Sequence, residues 1–244
     1  MCGIIAIISQ NQPVSERIIS GLKRLEYRGY DSSGVATMTF DGTIDVRRAV
    51  GKIVNLQAVV EQSPLGGNIG IGHTRWATHG AAVEDNAHPH SNGRVALVHN
   101  GIIENFAQLR RELEAKGHVF SSQTDTESIV HLITDYLDQG LDPQQAMKEA
   151  LGRLEGAFGI AVLFQGEDLI IGARKGSPLA VGLGDNQMYL GSDALGLAPF
   201  TDQMMYLEEG DWVILRSDSC QIFNALGEPV ERAVTRIAAN TMSL

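Results

Sequence analysis

The sequence predicts an α+β fold in which stacked antiparallel sheets are flanked by helices, in a single domain. Three observations lead there. Four amphipathic stretches of helical period occur together with about ten short apolar runs of strand length. Beyond residue 157 those runs come at hairpin spacing, punctuated by glycine and aspartate. No internal repeat, low-complexity tract or inner linker divides the 244 residues, a length that buries a sizeable core.

Taken in order, the apolar run 4–9 reads as a strand buried on both faces. Residues 13–28 read as a helix, with Val14, Ile18, Ile19, Leu22 and Leu25 on one stripe and Gly29 as its stop. Runs 35–40 and 44–50 form a hairpin across Asp41-Gly42, and 69–74 and 94–99 are two further strands. A second helix is expected over 105–117, with Asn105 as N-cap and Phe106, Leu109 and Leu113 facing inward. The third, over 125–139, carries Ile129, Val130, Leu132, Ile133 and Leu137 and ends at Gly140. Asp142-Pro143 opens the fourth, which closes near Gly156. Short strands then follow at 157–164, 168–173, 179–182, 187–192, 211–216 and 220–225.

The balance of charge is −10, which argues against nucleic acid as a partner, because phosphate backbones are bound by basic surfaces. No apolar run approaches the roughly 20 residues of a membrane span, and no signal pattern opens the chain. Cys2 and Cys220 lie at opposite ends of the sequence. One long-range disulfide is open to them, but without a secretion signal free thiols in a reducing cytoplasm are expected.

Four places carry reactive or recognition chemistry. Loss of the initiator methionine leaves Cys2 with a thiol and a free α-amine on one carbon, so nucleophile and base come from one residue. Position alone would equally suit a small apolar residue at the start of a strand. In Gly72-His73-Thr74-Arg75-Trp76-Ala77-Thr78-His79-Gly80, Arg75 offers a planar fork for a carboxylate or phosphate, or for an internal acid. Asn100 and Gly101 follow a strand; together they can donate two hydrogen bonds to an oxyanion, although an Asn-Gly pair is more often a plain turn. Asp125 opens a helix, where a carboxylate most often caps and less often pairs with a ligand ammonium. His73, His79, His88, His90 and His99 are bunched, but their spacing is not that of a helical zinc site, and no metal is expected.

In combination these segments resemble the glutaminase domain of the glutamine–fructose-6-phosphate amidotransferases. The resemblance runs in order from residue 2 to about residue 230. It includes Cys2-Gly3-Ile4, Leu25-Glu26-Tyr27-Arg28-Gly29-Tyr30-Asp31-Ser32, the arginine loop just quoted, Asn86-Ala87-His88-Pro89-His90, His99-Asn100-Gly101 and Thr124-Asp125-Thr126-Glu127. Arg174-Lys175-Gly176-Ser177-Pro178-Leu179 and Leu207-Glu208-Glu209-Gly210-Asp211 extend it. Trp76 with the following Ala-Thr-His-Gly is closer to this family than to its phosphoribosylamine-forming or asparagine-forming relatives.

The resemblance implies a four-layer αββα sandwich of the N-terminal nucleophile hydrolase type over residues 2–236. It implies hydrolysis of L-glutamine through a thioester on Cys2, with Asn100 and Gly101 holding the oxyanion, and no cofactor. Arg75 would take the α-carboxylate of glutamine and Asp125 its α-ammonium. Thr78 and His79 would close over the substrate, Trp76 would gate an ammonia path, and Arg28 would support the N-terminus from behind. Residues 237–244 would begin a linker to a sugar-phosphate isomerase portion that this chain lacks, in a cytoplasmic enzyme that is a homo-oligomer at full length. A stand-alone glutaminase, a domain feeding another acceptor, and a non-catalytic glutamine-sensing or zinc-binding module are the alternatives. One departure is Ala6, where the family usually carries glycine.

Overall fold

β1 (Gly3–Ser9) is buried along its whole length in the computed structural model, as its unbroken apolar run requires. The structure describes residues 2–76 and 81–237. Next along the chain come α1 (Ser15–Lys23), β2 (Ser32–Met38), β3 (Ile44–Val50), α2 (Ile53–Gln62) and β4 (Ile69–Arg75). β5 (His90–Ser91) and β6 (Val95–Ile103) precede three helices, α3 (Phe106–Ala115), α4 (Thr126–Asp138) and α5 (Pro143–Arg153). The remainder is β7 (Gly156–Phe164), β8 (Ile170–Lys175), β9 (Ala180–Gly184), β10 (Gln187–Gly191), α6 (Ala194–Leu197) and β11 (Gln203–Tyr206). It ends in β12 (Trp212–Leu215), β13 (Cys220–Phe223), β14 (Pro229–Val230) and β15 (Val234–Arg236).

These strands form two antiparallel sheets. One has eight strands in the order β15-β11-β9-β10-β1-β4-β2-β3, the other seven in the order β14-β13-β12-β8-β7-β6-β5. Side-chain alternation divides the core into three apolar layers. Ile4, Ala6 and Ile8 of β1 meet Ala96 and Val98 of β6 and Ala161 and Leu163 of β7 between the sheets. Ile5 and Ile7 face the other way, against Ile18 and Leu22 of α1 and Leu56 of α2. Val95, Leu97 and Ile160 pack under Leu109, Leu113, Ile129 and Met147 of α3–α5. The result is the four-layer αββα sandwich expected from the sequence. Ala6 sits in the inter-sheet layer with no exposed surface. Gly72 lets α1 approach closely: a Cβ there would lie 2.4 Å from Ile18 Cγ2.

Two local differences from the sequence reading have physical causes. α2 was not expected, because Ile53, Val54, Val59 and Val60 are β-branched and no capping residue precedes them. Its first turn is capped from a distance, by Glu26 Oε1 accepting from Ile53 N–H at 2.7 Å. Asn105 stands at the N-cap of α3 but makes no side-chain cap. It ties the helix to the link between α5 and β7 instead, donating to Arg153 O at 2.8 Å and accepting from Glu155 N–H at 3.1 Å. By contrast, Asp142 forms the expected cap of α5, reciprocated by Gln145. Packing continues through Ile237, whose N–H donates to Asp202 O; residues 238–244 lie outside the described residues. Among the described residues no helix is long and apolar enough to cross a membrane.

Candidate active site

The chemistry-bearing residues come from strand ends in both sheets. Cys2 precedes β1, which pairs with β4 in the register Gly3↔Thr74 and Ile4↔His73, so Arg75 and Trp76 leave the sheet beside Cys2. Thr74 Oγ1 accepts from Gly3 N–H at 3.1 Å and pins this corner. β6, in the facing sheet, brings His99, Asn100 and Gly101 to the same end, and the start of α4 adds Asp125 and Thr126. Cys2, Arg75, Trp76, Gly101 and Asp125 thus line one cleft. Its volume is about 30 Å³, room for a single water. Grooves of about 570 and 940 Å³ lie elsewhere, and no cysteine or histidine lines either of them.

Within the cleft, Trp76 N–H donates to Cys2 Sγ at 3.2 Å. Burial pushes the Cys2 thiol up, and the Trp76 N–H and the nearby Arg75 charge pull it only part of the way back. Cys2 is therefore a thiol at rest and needs a base to become a nucleophile. Arg75 is buried, which lowers its pKa, while Cys2, Asp31 and Asp125 act on it in the opposite direction. Its Nη1 donates to Ala81 O at 3.2 Å.

The Asn100 amide lies between the sheets. Nδ2 donates to Cys2 O at 3.0 Å, and Oδ1 faces His73 Nε2 at 3.0 Å. Gly101 has φ +124°, and a Cβ there would lie 2.0 Å from Ala157 O, so only glycine holds this backbone. Asp125 occupies the N-cap position of α4, yet its side chain does not cap the helix. Oδ2 instead accepts from Ile103 N–H at 2.7 Å, fixing the carboxylate to the end of β6.

Four histidines fill a buried polar layer, and three of them, His73, His88 and His99, line the cleft themselves. His88 stacks on His73 at 4.2 Å and lies edge-on to His90 at 4.9 Å. His99 N–H donates to His88 Nδ1 at 3.2 Å, which leaves the proton of neutral His88 on Nε2, directed to Thr126 Oγ1 at 3.3 Å. Thr126 Oγ1 is 2.9 Å from His99 Nδ1, and Thr124 Oγ1 is 3.0 Å from His90 Nε2. The bunching visible in the sequence is thus a hydrogen-bonded brace under the cleft. Burial lowers all four pKa values, those of His73 and His90 to about 3.

Those shifts fix a pH dependence. Unfolded histidines protonate near pH 6.5, whereas the folded ones stay neutral, so stability is complete above pH 6.5 and falls as the pH drops toward 3. Each such histidine is expected to cost about 1 kcal/mol between pH 6.5 and 5.5. Urea unfolding at pH 7.5, 6.5 and 5.5 should show a small first step and a steep second one. Equal midpoints at 6.5 and 5.5 would contradict neutral burial.

Among the sequence-derived candidates, Cys2, Arg75, Trp76, Asn100, Gly101 and Asp125 converge. Arg28 does not line the cleft. It pairs with Asp193 at 2.8 Å, next to Ser192, whose Oγ accepts from Ile4 N–H at 2.9 Å. Arg28 thereby braces the residues that hold β1. Thr78 and His79 lie outside the described residues. Glu127 does not line the cleft but supports the turn beside it. Burial works against its charge, but His131, Ser121 and Ser122 outweigh it and hold the carboxyl well below the usual range. Ser121 N–H and Ser122 N–H donate to it at 2.8 and 2.7 Å, shaping the turn that leads into Asp125. Only its place in Thr124-Asp125-Thr126-Glu127 signalled it.

Comparison with known proteins identifies relatives of the chain. A family model described as a glutamine amidotransferase domain matches residues 73–199. The chain is 57% identical to a glutamine–fructose-6-phosphate aminotransferase [isomerizing] of Gluconobacter oxydans (strain 621H), covering 96% of this chain and 38% of that protein. It is 56% identical to the protein of the same name from Caulobacter vibrioides, over 100% of this chain and 40% of that one. The chain therefore spans about two fifths of the length of these relatives. Among solved structures, a glutamine phosphoribosylpyrophosphate amidotransferase from B. subtilis, complexed with ADP and GMP, superposes with a TM-score of 0.79. Identity there is 25%, covering 92% of this chain and 49% of that one. With the family model spanning more than half of its residues and the cysteine, amide and carboxylate gathered at one cleft, this chain belongs to the glutamine amidotransferase domain family.

Proposed function

We propose that the chain hydrolyses L-glutamine to glutamate and ammonia through a thioester on Cys2. The observation that carries this reading is that Cys2, Gly101, Arg75 and Asp125 line one cleft, with the Asn100 amide bonded to the backbone of Cys2. With Met1 removed, the Cys2 α-amine takes the thiol proton as Sγ attacks the side-chain amide carbon of glutamine. The carbonyl electrons move to oxygen. Asn100 Nδ2 has two hydrogens, one already given to Cys2 O; the second, with Gly101 N–H, holds the oxyanion. Collapse breaks the C–N bond, and the amine returns its proton to the departing ammonia. Water then attacks the thioester, and its proton goes to the amine and on to the leaving thiolate. No cofactor takes part.

Arg75 binds the substrate carboxylate bidentately and Asp125 its ammonium, so an amino acid is held by both of its backbone charges. Trp76, which is 46% exposed and whose ring stands edge-on to Tyr30 at 5.7 Å, gates the departure of ammonia. Thr78 and His79 close over the bound glutamine. Arg28 supports the N-terminus through Asp193.

The names of the relatives extend the proposal to a longer protein. There, residues 2–236 form the glutaminase domain and 237–244 lead to a sugar-phosphate isomerase portion. That portion uses the ammonia to convert fructose-6-phosphate to glucosamine-6-phosphate, in a cytoplasmic homo-oligomer. The test is glutamate release from glutamine by this chain, paired with intact-mass measurement of its N-terminus. Activity in Met1-free material supports the reading. A free Cys2 with glutamine bound but not hydrolysed would replace it with a sensor.

A further inference from the structure

The Asn100 amide carries chemistry only if it faces the right way. Asparagine amides rotate readily, and their two ends differ only in what they bind. Here the amide is held at both ends, and one of the holders is a ring that takes no part in the steps above.

His73 sits on β4 of the eight-stranded sheet with no exposed surface, and Asn100 sits on β6 of the seven-stranded sheet. His73 Nε2 lies 3.0 Å from Asn100 Oδ1 and 3.0 Å from His99 O. A backbone carbonyl can only accept, so Nε2 carries the proton and Nδ1 does not. The other end of the amide meets Cys2 O at 3.0 Å, another obligate acceptor. Reversing the amide would place its NH2 against the His73 N–H and its oxygen against the Cys2 carbonyl. Both contacts would then oppose like groups. The donor below and the acceptor above thus permit one orientation, and the stack on His88 at 4.2 Å fixes the plane of the donor.

We infer that His73 is the positioning residue for Asn100, holding its amide so that Nδ2 points toward Cys2 and the oxyanion. This rests on the role proposed for Asn100. His73 is among the residues that line the cleft, and the role assigned to it runs through the amide it holds. It also joins the two sheets at the cleft, so the donor on one is registered to the nucleophile on the other. Because burial lowers the ring's pKa to about 3, the brace keeps one protonation state across the neutral range.

The experiment uses this chain with Cys2 at the N-terminus, as verified by intact mass, and two variants. His73→Gln retains an N–H donor; His73→Met has similar reach and none. Four readouts are compared: kcat, KM, the rate of Cys2 alkylation by iodoacetamide, and inhibition by glutamate γ-semialdehyde. Iodoacetamide displacement needs no oxyanion, whereas the aldehyde forms one when Cys2 adds to it. A lost oxyanion donor costs about 10²–10³ in kcat, so a loosened one in His73→Met should cost roughly 10–100-fold. KM should stay within about threefold and the iodoacetamide rate unchanged. The inhibition constant of the aldehyde should rise by the factor that kcat falls, and His73→Gln should recover most of both.

Equal losses in kcat and in the iodoacetamide rate would overturn the role, as would a Gln variant no better than Met. If the Met variant does not fold, ¹⁵N-histidine NMR of the parent decides: a neutral Nε2–H tautomer at His73 supports the role, and Nδ1–H refutes it. A parent chain without glutaminase activity overturns the proposed function, and this role with it. An active parent matched by an equally active Met variant overturns this inference alone.

Discussion

Replacing Cys2 with alanine lowers glutamate release by at least about 10⁴-fold and leaves glutamine affinity within about threefold of the parent. The asymmetry follows from the layout of the cleft. Arg75 and Asp125, the residues assigned to the two charges of the substrate, come from the end of β4 and the start of α4. Neither depends on the sulfur for its place, since Asp125 is fixed by Ile103 N–H and Arg75 reaches Ala81 O. In the proposed mechanism the thiol is what the reaction cannot do without. Its pKa is raised by burial, so a base must remove its proton, and the nearest one in the mechanism is the α-amine on the same residue. A chain that keeps Met1 carries an amide in place of that amine and is expected to be as inactive as Cys2→Ala, with its sulfur intact. Comparing the two separates loss of the nucleophile from loss of the base. Isothermal titration with glutamine, run beside the activity assay, checks the binding half of the prediction.

Asn100→Ala should lower kcat by about 10²–10³ and change KM little, because the donor acts on charge that develops only in the transition state. Asn100→Asp, close to isosteric, should do at least as badly. A carboxylate would face the oxyanion, and one of its oxygens would also meet the Cys2 carbonyl that now accepts from Nδ2. Steady-state kinetics distinguish this from a folding defect: a Tm near that of the parent with kcat down and KM steady places the loss at the oxyanion. A parallel rise in KM would mean that Asn100 serves ground-state binding instead.

How much of this was legible in the sequence differs between fold and site. β1, α1 and the β2–β3 hairpin could be read from pattern, because apolar periodicity there agrees with burial. α2 could not, because the group that caps it, Glu26, comes from a different segment. β11 and the two-residue strands β5 and β14 are defined by their neighbours in the sheets and not by any periodicity of their own. For the site, residue types with evident chemistry (Cys2, Arg75, Asn100-Gly101, Asp125) were legible as candidates and became a set through the family resemblance. The supports were not. Nothing in the sequence says that the proton of His73 meets the oxygen of Asn100, or that Glu127 gathers Ser121 and Ser122 beneath Asp125. The first depends on how the two sheets stack β4 against β6, and the second on the conformation of the turn that precedes α4. The histidine bunching showed that something unusual lies between residues 73 and 99, but a metal site and a buried hydrogen-bonded layer have the same composition.

The central claim is that Cys2 is the nucleophile toward glutamine, and a glutamine-like chloroketone followed by peptide mapping tests it most directly. Cys220, partly buried and with its thiol pKa raised by burial, serves as the internal control. The account predicts one equivalent of label on Cys2, activity lost in step with labelling, and protection by glutamine. Inactivation with the label on Cys220 or elsewhere, or full labelling of Cys2 with activity retained, would contradict it.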